Sequence, residues 1–162
     1  IRTRRLTVEE ALTFLEAGFR ELGLEVPSPI LYQAVDKLNG IIGWLTYFGW
    51  FASQLKDPQQ ALDQAVDQGT LLVCSELERF LALRPQARIR YLAILANLTQ
   101  PLRWTELKRR VEVELGTRIA NKQFSHYLHT LLRHSFIEHR NREYRTPDPL
   151  LPRAARRLLR MR

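Results

Sequence analysis

The sequence predicts a mainly α-helical chain of 162 residues, in which a four-helix unit is followed by a helix-turn-helix domain with a two-stranded wing. Three observations lead to this prediction. Apolar residues recur at helical spacing through most of the chain. The charge balance changes sign near Arg84, where an Arg-Pro step also interrupts the helical pattern. Residues 121–144 change from helical to strand periodicity and are basic throughout.

The first predicted unit covers residues 1–83 and contains four helices. Thr7 and Glu10 have the spacing of a capping box, in which each side chain accepts a hydrogen bond from the other residue's backbone N–H, so the first helix begins there. Asp57 and Pro58 have the order of an N-cap and a first helical residue, and they predict the start of a long fourth helix.

The third predicted helix, within residues 40–51, is the most aromatic stretch of the chain. Its aromatic residues are too many for one helical face, so we expect this helix to be buried on more than one side. The alternative is that some of them form a partner surface, through which an isolated chain would dimerise. Residues 1–6 are expected to form a short strand or a basic tail.

The second predicted unit, residues 84–162, begins with an apolar helix over residues 88–96. A turn follows, and an amphipathic helix then runs from near Trp104 to Gly116. The chain is expected to end with a basic helix over residues 150–162 that has one apolar side.

Residues 121–144 lie between these helices and are predicted to form a third helix and the wing. Asn121 is expected to cap a third helix, which buries one stripe at i, i+4, i+7 and i+8, made of Phe124, Leu128, Leu131 and Leu132. Two short strands follow, joined by a tip at residues 140–142. The order helix, helix, third helix, hairpin is the topology of a winged helix-turn-helix, whose third helix can lie in the major groove of DNA.

The charge is unevenly distributed along the chain. Residues 1–83 contain seven Lys and Arg against eleven Asp and Glu, a net charge of −4, whereas residues 84–162 contain eighteen against six, a net charge of +12. The basic half is therefore the candidate for a polyanion partner, and double-stranded DNA is the partner that we expect. The side chains predicted to contact it are Lys122, Gln123, His126, His129, Arg133, Arg140, Arg142 and Arg145.

Several other classes of site are not expected. Cys74 is the single cysteine and cannot form an internal disulfide. His126 and His129 share a helical face, but no third ligand is placed beside them, so we expect no metal site. Ser125 lies beside these histidines without an orienting acid, which argues against a hydrolase and leaves no catalytic residue to name. No stretch has the length or apolar character of a membrane span, and a cytoplasmic location is expected.

Five stretches of the chain resemble a known family. They are AGFRELG (17–23), GIIGWLTYFG (40–49), RIRYLAIL (88–95), RWTELK (103–108) and YRTPDPLL (144–151). In their order and spacing they are similar to the C-terminal part of archaeal AAA-type P-loop ATPases of the STAND-like branch. The resemblance implies that residues 1–83 correspond to the helical lid of such an ATPase and the following residues to its winged helix.

The same resemblance implies that the parent polypeptide binds ATP and Mg²⁺. The 162 residues contain no G-x-x-x-x-G-K-[ST] sequence, so we expect no cofactor and no ATP hydrolysis by this chain alone, and we expect the ATPase core to be a separate N-terminal part of the parent. In related lids a residue can approach the nucleotide, and the resemblance points to Lys37, Gly40, Gly43 and Trp44 as the corresponding positions. The alternative is that Gly40, Gly43 and Trp44 only shape and fill the core of the lid.

Three functions are compatible with the sequence. The first is DNA binding by the winged helix, coupled through the lid to an ATPase. The second is a protein-interaction module, in which the winged helix docks a partner protein or the ATPase core. The third is a stand-alone transcription regulator. A continuous positive surface over residues 122–133 and 140–145 favours DNA, whereas an apolar patch there favours a protein partner.

Overall fold

Helices dominate the computed structural model, which describes residues 5–161. Within these residues it contains eight α-helices, one short 3₁₀ turn and three short strands. In chain order they are α1 (Val8–Glu21), α2 (Ser28–Leu38), α3 (Ile42–Leu55), α4 (Pro58–Ala82), the 3₁₀ turn (Pro85–Ala87), α5 (Arg88–Asn97), β1 (Leu102–Arg103), α6 (Trp104–Leu115), α7 (Asn121–Arg133), β2 (Glu138–Arg140), β3 (Glu143–Arg145) and α8 (Leu151–Arg160). The predicted mainly α fold with a winged helix is confirmed.

The chain divides into two compact units, and the division lies between Gly69 and Thr70, inside α4. The sequence-based boundary falls later, at Arg84. Proline and the change of charge mark where α4 ends, at Ala82, whereas the division between the two units lies within that helix.

Capping hydrogen bonds confirm two of the predicted helix starts in the first unit. The Thr7 hydroxyl accepts from the Glu10 N–H at 3.2 Å, and the Glu10 carboxylate accepts from the Thr7 N–H at 2.8 Å, which completes the capping box. Asp57 Oδ1 accepts from the Gln60 N–H at 3.0 Å, directly before Pro58 begins α4. Local sequence therefore determines where both helices begin.

The aromatic helix α3 is buried on one face only, so the expectation of burial on several sides is wrong. Leu45, Phe48 and Ala52 are buried, and the Phe48 ring packs edge-to-face on Phe19 with centroids 5.3 Å apart. The remaining aromatic residues pack mainly on one another, with ring centroids 4.8 to 6.3 Å apart. We call this set the aromatic face; it consists of Trp44, Tyr47, Trp50 and Phe51.

The second unit is built around α5. Six consecutive residues of α5, Tyr91–Ala96, are buried, because this helix packs against α6, α7 and α8. The Tyr91 ring lies 5.2 Å from Phe80 of α4 and 5.2 Å from Tyr127 of α7. Tyr91 is therefore part of the core.

The wing contains one strand more than predicted. β2 and β3 form the predicted hairpin, and β1 pairs with β3 on its other side, so that the three antiparallel strands have the order β1-β3-β2. β1 has only two residues, and its partner lies some forty residues further on, so no periodicity in the sequence could predict it. The sheet connects the start of α6 to the wing.

Gly40 occupies a position in which any residue with a side chain would be strained. Its φ is +66°, its O accepts from the Leu6 N–H at 2.9 Å, and a Cβ built on it would lie 2.3 Å from the Leu6 carbonyl oxygen. Arg5 forms an antiparallel bridge with Ile41 beside it. The strand or tail predicted at residues 1–6 otherwise lies outside the described residues.

Gly40→Ala is expected to destabilise the chain by at least about 2 kcal/mol, because the added methyl group meets backbone and the left-handed conformation disfavours alanine. Chemical denaturation followed by far-UV circular dichroism measures this loss. Gly43→Ala is the matched control. Gly43 lies in the first turn of α3, and no atom of the described residues lies within 4 Å of its Cβ position, so alanine there should stabilise by up to about 1 kcal/mol. Equal stability of the two variants would contradict the structural role assigned to Gly40.

Candidate nucleic-acid interface

The turn between α6 and α7 is held by a carboxylate. Gly116 ends α6 with a φ of +63°, and Ile119 anchors the turn in the core. The Glu112 carboxylate accepts a hydrogen bond from the Ile119 N–H at 2.7 Å and forms an ion pair with Lys108. These two contacts, the backbone N–H first, lower the pKa of Glu112 below its usual value. Glu112 therefore fixes the path by which the chain enters α7.

Helix α7 begins at Asn121, but Asn121 does not cap it. The N-cap residue is Ala120, whose side chain cannot accept a hydrogen bond, so the predicted cap is wrong. The start of α7 is determined by the Glu112–Ile119 contact and by the packing of Phe124.

The buried face of α7 matches the predicted stripe and extends it. Phe124, Leu128 and Leu131 are buried as expected, while Leu132 is half-buried. Tyr127 and Thr130 are also buried, and the Thr130 hydroxyl donates to the His126 carbonyl at 3.0 Å. Trp104 packs edge-to-face on Phe124 with centroids 5.4 Å apart, so this residue packs the start of α6 against α7.

The outward face of α7 carries all five side chains predicted for that helix. They are exposed, and helical spacing places them on one side; we call this set the basic face, and it consists of Lys122, Gln123, His126, His129 and Arg133. Helix α7 contains no Asp or Glu. Among the described residues, none of the exposed large hydrophobic side chains lies within residues 122–133 or 140–145. The apolar patch that would favour a protein partner on this surface is therefore not found in these two ranges.

The wing presents two of its three predicted arginines to solvent. Asn141 and Arg142 form the two-residue tip with φ of +52° and +64°, a type I′ turn. Arg140 and Arg142 are exposed, and Arg140 also lies 3.2 Å from the Glu138 carboxylate. Arg145 is half-buried, and its Nε is buried with no hydrogen-bond partner in the described part of the chain. Arg145 is therefore less accessible than the other two.

Several exposed basic residues of the helix-turn-helix and the wing were not among the predicted contacts, and Arg118 and His139 are two of them. Arg118 lies in the turn directly before α7. His139 lies on β2, where its ring stacks on Tyr144 with centroids 4.4 Å apart. Both could have been found from the sequence, since one lies between the two helices of the motif and the other within the basic hairpin.

His134, directly after α7, packs against α4. Its Nε2 lies 3.1 Å from the Arg84 guanidinium, and its ring packs on Phe80 with centroids 5.1 Å apart. A guanidinium can only donate, so this ring nitrogen accepts. Within residues 5–161, no group of three His, Cys, Asp or Glu side chains is arranged to hold a metal ion.

The positions predicted for nucleotide contact lie around the turn between α2 and α3. Lys37 is exposed and lies 3.6 Å from the Asp63 carboxylate. Gly40 is buried against Leu6, whereas Gly43 is exposed and Trp44 is half-buried beside Tyr47. Gly40 thus has a clear structural role in this turn.

The helix-turn-helix and its three-stranded wing define the second unit as a winged-helix domain. Comparison with protein families agrees, because residues 85–146 match the family described as the MCM protein C-terminal winged helix-turn-helix domain.

Among solved structures, a Walker-type ATPase of Pyrococcus abyssi is similar, with a TM-score of 0.81 and 28% sequence identity. The match covers 94% of this chain and 42% of that ATPase. No curated protein sequence matches. The resemblance to the C-terminal winged-helix region of an archaeal ATPase is confirmed. None of the helices in the described part of the chain is long and apolar enough to cross a bilayer.

Glu112→Gln is expected to loosen the turn before α7, because a neutral amide is a weaker acceptor for the Ile119 N–H and cannot pair with Lys108. Hydrogen exchange followed by NMR should show faster exchange of the Ile119 amide. In the unchanged chain the lowered pKa means that this carboxylate stabilises the fold above its usual pKa of 4.5. That contribution is lost as the pH falls through the folded-state value.

The matched control is Glu106→Gln on the same helix. Glu106 has a pKa of about 2, held there by hydrogen bonds from Arg109 and then Arg110, and these partners belong to α6 itself. This control should change the acid sensitivity and leave the exchange of the Ile119 amide unaltered. Equal effects of the two substitutions on Ile119 would show that Glu112 does not position the turn.

Proposed function

We propose that the second unit binds double-stranded DNA and that, in its parent polypeptide, this binding is coupled to an ATPase. The observation that carries the proposal is the basic face of α7, which is exposed, free of acidic residues and free of large exposed hydrophobic side chains. A net charge of +12 over residues 84–162 adds a favourable long-range attraction to a polyanion.

In this proposal α7 lies in the major groove. Lys122 and Arg133, near the two ends of the helix, contact phosphates, while Gln123, His126 and His129 face the base edges. The exposed wing arginines contact the backbone or the minor groove beside it. Arg145 is the weakest member of the set, because it is half-buried.

The coupling to an ATPase rests on the similarity to the Walker-type ATPase, of which this chain spans 42%. We propose that a core elsewhere in the parent polypeptide binds ATP and Mg²⁺, and that residues 1–83 serve as its lid. Lys37, Gly43 and Trp44 are the proposed positions nearest the nucleotide. The match to the winged helix of MCM proteins supports a DNA-linked role and does not specify the reaction.

The aromatic face is the proposed contact of the first unit. Trp50 is 54% exposed although its ring stacks on Tyr47 with centroids 6.1 Å apart. The other three aromatic residues of the face are half-buried, and an exposed tryptophan beside such a cluster is typical of protein contacts. In the parent polypeptide the partner is the ATPase core, and in the isolated chain it is a second copy.

DNA binding should fall with salt on a log-log line when the chain is titrated into a fluorescent duplex and followed by anisotropy. The double substitution Lys122→Gln with Arg133→Gln should reduce the magnitude of the slope by about 0.9 for each lost phosphate contact. The control is Arg79→Gln with Arg157→Gln, which removes the same charge from exposed positions on α4 and α8.

Equal losses of affinity in the two double variants would reduce the proposal to general electrostatic attraction. A chain that ignores duplexes of every sequence in dilute buffer would overturn it. Gln123→Ala adds a separate measurement, since loss of a base contact should relax sequence preference by about 1–3 kcal/mol.

Self-association of the isolated chain should depend on the aromatic face. Trp50→Ser is expected to weaken the dimer by about 2 kcal/mol or more, roughly thirtyfold in dissociation constant, because it removes a tryptophan that the proposed dimer would bury. Sedimentation equilibrium measures this change. Tyr32→Ser on α2, which removes another exposed aromatic ring, should leave association unchanged, and a monomer at every concentration would refute the dimer.

A further inference from the structure

A groove in the second unit lies apart from the basic face. It is formed by the start of α5, the end of α6 and the end of α8, and it encloses about 630 Å³. Its lining, among the residues that the structure describes, includes none from α7 or the wing. We call it the arginine groove and define it by six of its lining residues, Ile89, Arg90, Leu115, Arg156, Leu159 and Arg160.

One part of the groove is aliphatic. Ile89 is 42% exposed, and Leu115 and Leu159 are half-buried. These three side chains come from three different helices, so the groove brings together apolar surface that no single helix displays. Covering such a surface with an apolar side chain of a ligand removes it from water, which favours binding.

The charged part of the groove is only partly neutralised. The Arg156 guanidinium pairs with Glu114 and donates to the Ala96 carbonyl at 3.3 Å. Arg90 and Arg160 make no hydrogen bond or ion pair with the described residues, and Arg90 is half-buried. Two arginines without a partner among the described residues therefore line the groove together with its aliphatic residues, while Glu114, which also lines it, is paired with Arg156.

We infer that the arginine groove binds an acidic peptide segment of a partner protein, with carboxylates on Arg90 and Arg160 and an aliphatic side chain against Ile89, Leu115 and Leu159. Carboxylates match the fork of a guanidinium, and the volume is in the range of pockets that hold a few side chains. Duplex DNA could pair with the arginines, but its backbone offers nothing to cover the aliphatic surface. The inference does not depend on the proposed DNA binding.

The experiment selects peptides from a random displayed library on the full 162-residue chain. The selected peptides should be enriched in Asp or Glu together with Leu, Ile or Val. Synthetic, labelled copies then report affinity by anisotropy. Arg90→Gln with Arg160→Gln should weaken their binding about tenfold or more, and Ile89→Gln should weaken it through loss of apolar contact.

As a control, each double variant is tested on the ligand of the other surface. Lys122→Gln with Arg133→Gln should leave peptide affinity unchanged, and Arg90→Gln with Arg160→Gln should leave duplex affinity within about threefold of the unchanged chain. Circular dichroism verifies that each variant is folded. A selection without acidic and aliphatic enrichment, or peptide binding insensitive to the Arg90 and Arg160 substitutions, overturns the inference. The inference is also overturned if duplex DNA displaces the peptide and this displacement requires Arg90 and Arg160. The groove would then be a nucleic-acid site.

Discussion

The orientation of α7 depends on the burial of one apolar stripe. Phe124, Leu128 and Leu131 are almost fully buried, and each buried side chain of this size contributes about 1.5–3 kcal/mol. Surface ion pairs on the same domain contribute at most about 1 kcal/mol each. Packing therefore decides which way the helix faces, and the basic face points outward because the opposite side is fixed in the core.

The central helix of this core is α5. Because it is surrounded by other helices of the second unit, a change on one side of α5 can affect the other. Tyr91 contacts Tyr127 of α7 in the core, while Ile89 and Arg90, one turn or less away, line the arginine groove. Helix α5 thus contacts α7, which carries the basic face, and also lines the arginine groove, although the two surfaces share no residue.

The sequence was informative where local chemistry is sufficient. Capping at Thr7 and Asp57, the stripe of α7 and the polar turn of the wing all depend on neighbours within a few residues, so pattern alone predicted the elements. Prediction failed where distant residues decide the outcome. β1 exists only because β3 lies beside it, and the half-buried aromatic face could not be distinguished from a second buried side. The arginine groove joins residues more than sixty positions apart, which no periodicity reports.

The residue at the tip of the wing lowers the stability of its hairpin. A two-residue turn with both φ values positive is best built with glycine, yet its second position is Arg142. A side chain held in the left-handed region costs about 1 kcal/mol, and glycine would remove that strain. The hairpin is therefore less stable than the simplest sequence would make it, and what it keeps in exchange is a guanidinium at its outermost point.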